Sequence, residues 1–191
     1  MRTLFSVLKI SAFLGFALCW ASAEGVPAGS QIENRAAGYY LDPIVGGQNV
    51  VSNVVRTKIL AICSVGLSPK SQTSIFDPGE PLVFPFHLVN SGNDVFAFAL
   101  NVQTQANWKY GTEFYSDLGE KGIFEPGIDL PLSIPGALKL PPDGQTDVLL
   151  VYPTPKEAEE LSGILSVTCP GGATSSASVK AQSNAKQIGR A

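Results

Sequence analysis

The 191-residue sequence predicts an all-β protein built as a Greek-key-like β-sandwich. Three observations lead there. Apolar residues recur at every second position in several short runs. Glycine and proline, 19 and 14 of them, separate those runs and suit turns between short strands better than long helices. At 45% hydrophobic and 15% charged, the chain has enough apolar material for one core of ordinary size.

Taken in chain order, residues 1–23 read as an export signal. Arg2 and Lys9 form its positive region, "ISAFLGFALCW" its short apolar run and Ala21-Ser22-Ala23 its small-residue cleavage site. The run is too short to span a bilayer, so the expectation is a secreted or cell-surface protein starting at Glu24, with no membrane span in the mature chain. Cys19 follows Leu18, where a bacterial lipoprotein signal wants Gly or Ala, and lipid attachment is not expected. Removing Arg2 and Lys9 and no acidic residue moves the formal charge from −3 to −5. Without a clustered basic face, nucleic acid is not an expected partner.

Strand signals begin in the middle of the chain. In residues 82–90, Phe84, Phe86 and Leu88 share one face, and Val83, Pro85, His87 and Val89 the other. Phe96, Phe98, Leu100 and Val102 share a face of the next run, and Asn90-Ser91-Gly92-Asn93 between them reads as a tight hairpin turn. Pro85 points to an edge strand or a bulge. Residues 130–134, 147–152, 164–169 and 173–180 are further strand candidates, and only residues 156–161 hint at a helix.

The chemistry-bearing residues are few. His87 is the one histidine, so a triad or an imidazole-ligated metal would have to use it, and no G-x-S-x-G elbow accompanies it. The expectation is a protein that is not an enzyme and holds no cofactor. Cys63 and Cys169 are the two cysteines of the mature chain. In an exported protein they most simply form one bridge, closing a loop of roughly 100 residues worth up to about 5 kcal/mol in the chain-entropy model. The alternative is two buried free thiols.

"DPGEPLVFPFHLVNSGND", residues 77–94, resembles the P-G-x-x-[VL]-x-[FY]-x-x-x-[LV]-x-N-x-G-N signature of Ig-like bacterial surface domains of the conserved-repeat, cell-adhesion-related kind. "NWKYGTEFYSDLGEKGIFEPG" and "LPPDGQTDVLLVYPTPKEAEELSG" are similar to the family's Trp, Tyr-x-Asp and Gly-rich acidic loop and to its proline turn and following strand. The resemblance covers residues 64–169 and implies an Ig-like sandwich serving as a spacer, adhesin or filament subunit. Relatives often carry a D-x-N-x-D-G calcium loop. Here Asp117 and Gly122 remain while Gly119 and Lys121 replace two ligands, so a solvated acidic loop is expected, with Asp117, Glu120 and Glu125 as the residual calcium candidates.

"AGSQIENRAAGYYLDPIVGGQNVVSNVVRTKI", residues 28–59, resembles the closing hairpin of another such domain. Ile32, Ala36 and Tyr40 share a face and residues 51–62 are rich in β-branched side chains, so each strand has an apolar side to bury. The implied organisation is a signal peptide over residues 1–23, a β-hairpin extension over 24–62, an Ig-like sandwich over 63–169, and a weak last strand or flexible end over 170–191. The hairpin either adds to its own sheet or completes a neighbour by strand addition. The functional expectation is an exported, non-enzymatic structural and interaction module whose partners are proteins or copies of itself, and which strand exchange would make a filament subunit. The alternative is a carbohydrate-binding module with Trp108, Tyr110 and Tyr115 as its glycan platform; core packing explains those side chains equally well.

Overall fold

The structure is a computed structural model describing residues 25–104, 111–132, 138–152 and 160–184. Their first four strands, β1 (Gln31–Asn34), β2 (Ala37–Asp42), β3 (Gly46–Val51) and β4 (Val55–Lys58), stand apart as two small ladders, β1 with β4 and β2 with β3. The rest is a β-sandwich of Ig-like topology. β5 (Val65–Ser68), β7 (Leu82–Asn90), β9 (Glu113–Ser116), β10 (Leu130–Pro131) and β12 (Gln145–Tyr152) form a sheet in the order β10-β9-β12-β7-β5. β6 (Ser71–Phe76), β8 (Phe96–Thr104), β11 (Leu138–Leu140), β13 (Glu160–Thr168) and β14 (Thr174–Ser183) form the second, in the order β11-β8-β13-β14-β6. β7 and β12 are neighbours in one sheet, while the strands that follow them, β8 and β13, are neighbours in the other. That double crossing is the Greek-key element.

Period two builds the core. Leu82, Phe84, Phe86 and Leu88 of β7 and Val148 and Leu150 of β12 face Phe98 and Leu100 of β8 and Leu165 and Val167 of β13, all buried. The alternation expected for residues 82–90 is the one observed. The segment after Cys169, left open between a weak strand and a flexible end, forms β14, whose Ala177, Val179 and Ala181 enter the same core. Ser176, Ser178 and Lys180 occupy outward positions while Ser175 and Ser183 are buried, so its small, polar composition understated it. Glu160 and Leu161, at the end of the expected short helix, belong instead to β13, where Leu161 is buried; residues 156–159 lie outside the described set. Cys63, just before β5, is bonded to Cys169, just after β13, so the disulfide ties one sheet to the other.

The expected hairpin between β7 and β8 is absent, because the two strands lie in different sheets. Asn90 explains the crossing. Fully buried, it donates through Nδ2 to the carbonyls of Asp94, Leu140 and Pro141 and accepts the Gly92 amide on Oδ1. Four bonds from one amide side chain hold the chain while it changes sheets. Gly92 is needed for close approach rather than for a positive φ: a Cβ there would fall 2.4 Å from the Ile62 carbonyl oxygen. Pro85 is tolerated because β5 ends at Ser68, opposite His87, leaving that side of β7 unpaired where the proline sits.

Candidate interaction surface

β1 to β4 form one long hairpin arm. Its two ladders meet where Arg35 and Ala36 oppose Ser52, Asn53 and Val54, so one strand carries an extra residue in the manner of a β-bulge. Ser52 spans the defect: its N–H donates to the Ala36 carbonyl at 2.8 Å, and its Oγ accepts from the Ala36 N–H at 2.9 Å. Arg56 and Glu33, paired across the ladder, form an ion pair at 2.5 Å. At the tip, Gly46 has φ 82°, the left-handed value that lets the loop after Asp42 close. From Gln31 to the tip the arm reaches roughly 45 Å at the usual strand rise.

The arm's root is held by one residue of the β7–β8 crossing, Asn93, through its side chain and its backbone. Asn93 Oδ1 accepts the Ile62 amide at 2.7 Å, Asn93 Nδ2 donates to the carbonyls of Val26 and Leu60, and Asn93 O accepts the Ala28 amide. Beyond the root, no strand of the arm pairs with the sandwich. Its apolar surface is correspondingly bare: thirteen of the twenty exposed large hydrophobic side chains among the described residues lie on residues 26–62. They include Tyr40, Leu41, Ile44, Val50 and Val55, with Ile44 at the tip 92% exposed. Tyr39, Tyr40 and Leu41 are consecutive, so both faces of β2 carry large side chains.

On the outer face of the first sheet, Ser68, His87 and Asp147 fall in one row across β5, β7 and β12. His87 Nδ1 meets Asp147 Oδ1 at 2.6 Å and Nε2 meets Gln145 Oε1 at 3.2 Å. Lys121 Nζ completes the group, 3.0 Å from Asp147 Oδ2, beside an open cavity of about 390 Å³. The hydrogen bond from His87, then that from Lys121, holds the Asp147 carboxyl below the usual carboxylate range, and Asp147 in turn raises Lys121. The sequence reading missed Asp147, the one charged residue of β12, which stands just before the buried run from Val148 to Tyr152. The row has the composition of a Ser-His-Asp set. The second ring nitrogen faces an amide, and Ser68 makes no hydrogen bond to the ring.

The acidic loop is braced largely by its own amides, with Asp117 Oδ1 buried and without a hydrogen-bond partner among the described residues. Asp117 Oδ2 accepts the Gly122 amide, Glu125 Oε2 accepts the Glu120 amide, and Asp129, also missed by the sequence reading, accepts the amides of Leu118, Gly119 and Glu125. Burial pushes the Asp129 carboxyl up, but those three donors and Lys121 hold it below the ordinary range. Lys121 donates to the Asp117 carbonyl and so places a cation inside the loop. Among the described residues no group of three or more His, Cys, Asp or Glu is placed to hold a metal ion. Of the calcium candidates, Asp117 and Glu125 each accept a loop amide through the carboxylate, and Glu120 enters through its backbone N–H. Of the glycan candidates, Tyr115 packs on Phe124 with ring centroids 4.6 Å apart and donates to Glu113, while Trp108 and Tyr110 lie outside the described residues.

No family model matches the chain, and no curated protein matches it either. Among solved structures, a PapD-like domain of human CEP192 is 17% identical with a TM-score of 0.42, over 62% of this chain and 84% of that one. Domains 4 and 5 of the S-layer protein SbsC are 11% identical with a TM-score of 0.32, over 79% and 75%. A family 123 glycoside hydrolase from Clostridium perfringens is 10% identical with a TM-score of 0.43, over 64% of this chain and 27% of that one. Among the described residues no helix is long and apolar enough to cross a membrane.

Proposed function

We propose that the chain is an exported, non-enzymatic structural module of the cell surface or extracellular space, and that it assembles with copies of itself by lending its arm to a neighbour's sheet. The arm's bare apolar surface carries this reading. A free two-stranded ribbon is marginally stable in water, and each Å² of apolar area it hides contributes about 25 cal/mol. A sheet that accepts the ribbon supplies both main-chain hydrogen bonds and cover for its side chains. Donor and acceptor are different surfaces, so the contact is heterologous and grows into a fibre unless its rotation closes a ring. The disulfide fits an oxidising compartment, the signal-like residues 1–23 fit export, and the motif resemblance to surface repeat domains fits a structural role. Among the described residues no hydroxyl or thiol hydrogen-bonds to His87, which supports a non-enzymatic reading.

The test compares the mature chain from Glu24 with a variant lacking residues 24–57. Light scattering and electron microscopy at rising concentration should find fibres or long oligomers for the first and disulfide-linked monomers for the second. An intact chain that stays monomeric at its highest soluble concentration removes the proposal.

A further inference from the structure

Resting on that self-assembly reading, we infer that the acceptor for the arm is the outer edge of β6 in a second copy. The four sheet edges are not equivalent. β10 is two residues long and contains Pro131; β11 is three residues long and carries Lys139. β5 has four residues, hemmed in between the Cys63 disulfide and Pro69. Short length, proline and lysine are the devices by which natural edges resist strand addition. β6, Ser-Gln-Thr-Ser-Ile-Phe, has six residues and none of these devices.

The ladder fixes which groups of β6 are on offer. β6 runs parallel to β14, and the Ser178 amide donates to the Lys70 carbonyl. In a parallel ladder alternate residues turn both backbone groups to the same neighbour, so Gln72 and Ser74 face β14 while Ser71, Thr73 and Ile75 turn theirs outward. No hydrogen bond among the described residues uses the outward backbone groups of Ser71 and Thr73, and the Ile75 carbonyl takes only the Ser74 hydroxyl at 3.4 Å. The donor matches this edge. β2 and β3 have six residues each, as β6 has; β6 has no charged residue, and β2 has one, Asp42, at its end. We assign β2 as the pairing strand, because its large side chains on both faces can cover the exposed Ile75 on one side of the sheet and the rim beside buried Phe76 on the other. The arm would become the sixth strand of the β11-β8-β13-β14-β6 sheet.

Thr73→Pro tests the edge without breaking the ladder, since the amide it removes is one β14 does not use. Three samples are needed: the intact mature chain, Thr73→Pro with its arm, and the chain lacking residues 24–57 with β6 intact. The expected result is fibres from the first only, and a one-to-one heterodimer when the second and third are mixed, because one retains the donor and the other the acceptor. Ile75→Lys, which places a charge beside the incoming strand, serves the same design if the proline variant fails to fold. Fibres from the edge-blocked chain, with the arm-deleted chain still monomeric, would keep self-assembly but overturn β6 as the acceptor; so would two folded, monomeric variants that do not combine. An intact chain that never assembles sinks the underlying reading instead.

Discussion

The sandwich and the arm are built from the same kind of strand, yet they treat their apolar side chains oppositely. Val179 in β14 is fully buried, whereas Val50 in β3 is 53% exposed. β14 alternates, with Ser176, Ser178 and Lys180 turned to solvent, so a single facing sheet satisfies it. β2 does not alternate: Tyr39, Tyr40 and Leu41 put large side chains on both of its faces. A strand apolar on both sides is the pattern of one covered on both sides, and within a single molecule this one is covered on neither. The difference teaches that period two specifies a strand, while the composition of its second face specifies how much company it needs.

The widest separation between the two regions should come from the disulfide. Replacing Cys63 and Cys169 by serine releases a loop with a sequence separation of 106 residues and unties the two sheets. The expected loss is up to about 5 kcal/mol of sandwich stability. Urea unfolding followed by tryptophan-independent far-UV signal measures it, and an unchanged midpoint would mean that the bridge constrains nothing that matters to folding.

Next comes a direct contrast of two truncations. Phe84→Ala removes a ring that is 1% exposed in the middle of the core and should cost about 3 to 5 kcal/mol. Leu41→Ala removes a side chain that is 74% exposed on the arm and should change monomer stability by less than about 0.5 kcal/mol. In assembled protein the second figure should grow, since Leu41 is then covered. Equal costs in dilute monomer would show that the arm packs on its own sandwich and would break the comparison.

Much of the sandwich was legible because several of its strands obey one rule. Residues 82–90 and 96–102 alternate, and the structure buries Leu82, Phe84, Phe86, Leu88, Phe98 and Leu100 in the core, while residues 148–152 form an unbroken apolar run that is buried throughout. The crossing from β7 to β8 was not legible, because Asn-Ser-Gly-Asn satisfies a hairpin and a sheet change alike; what decides is a buried amide whose partners, Leu140 and Pro141, are fifty residues away. β6 escaped notice because an edge strand facing solvent need not look apolar. Asp147 and Asp129 escaped for a related reason: each reaches its partners only through register or loop closure, which a linear pattern does not encode.

The smallest expected effect concerns acid. Asp147 is held by His87 and Lys121 below its ordinary range, and Asp129 by backbone donors. A carboxyl whose folded value is depressed contributes stability that is fully present above its unfolded value, about 3.9, and is lost as pH falls through the folded one. Asp147→Asn removes one of the two contributions. Because Asp147 and both partners are about a third exposed or more, solvent screens the pairs, and the loss at neutral pH should stay under about 1 kcal/mol. Below the folded value the wild-type carboxyl is protonated and uncharged like the amide, so the two unfolding curves should converge. The measurement is the urea midpoint of the arm-deleted sandwich, wild type against Asp147→Asn, from pH 7 down to about pH 2. That background keeps assembly out of the readout, so a difference that persists undiminished in acid would mean that Asp147 acts through shape rather than charge.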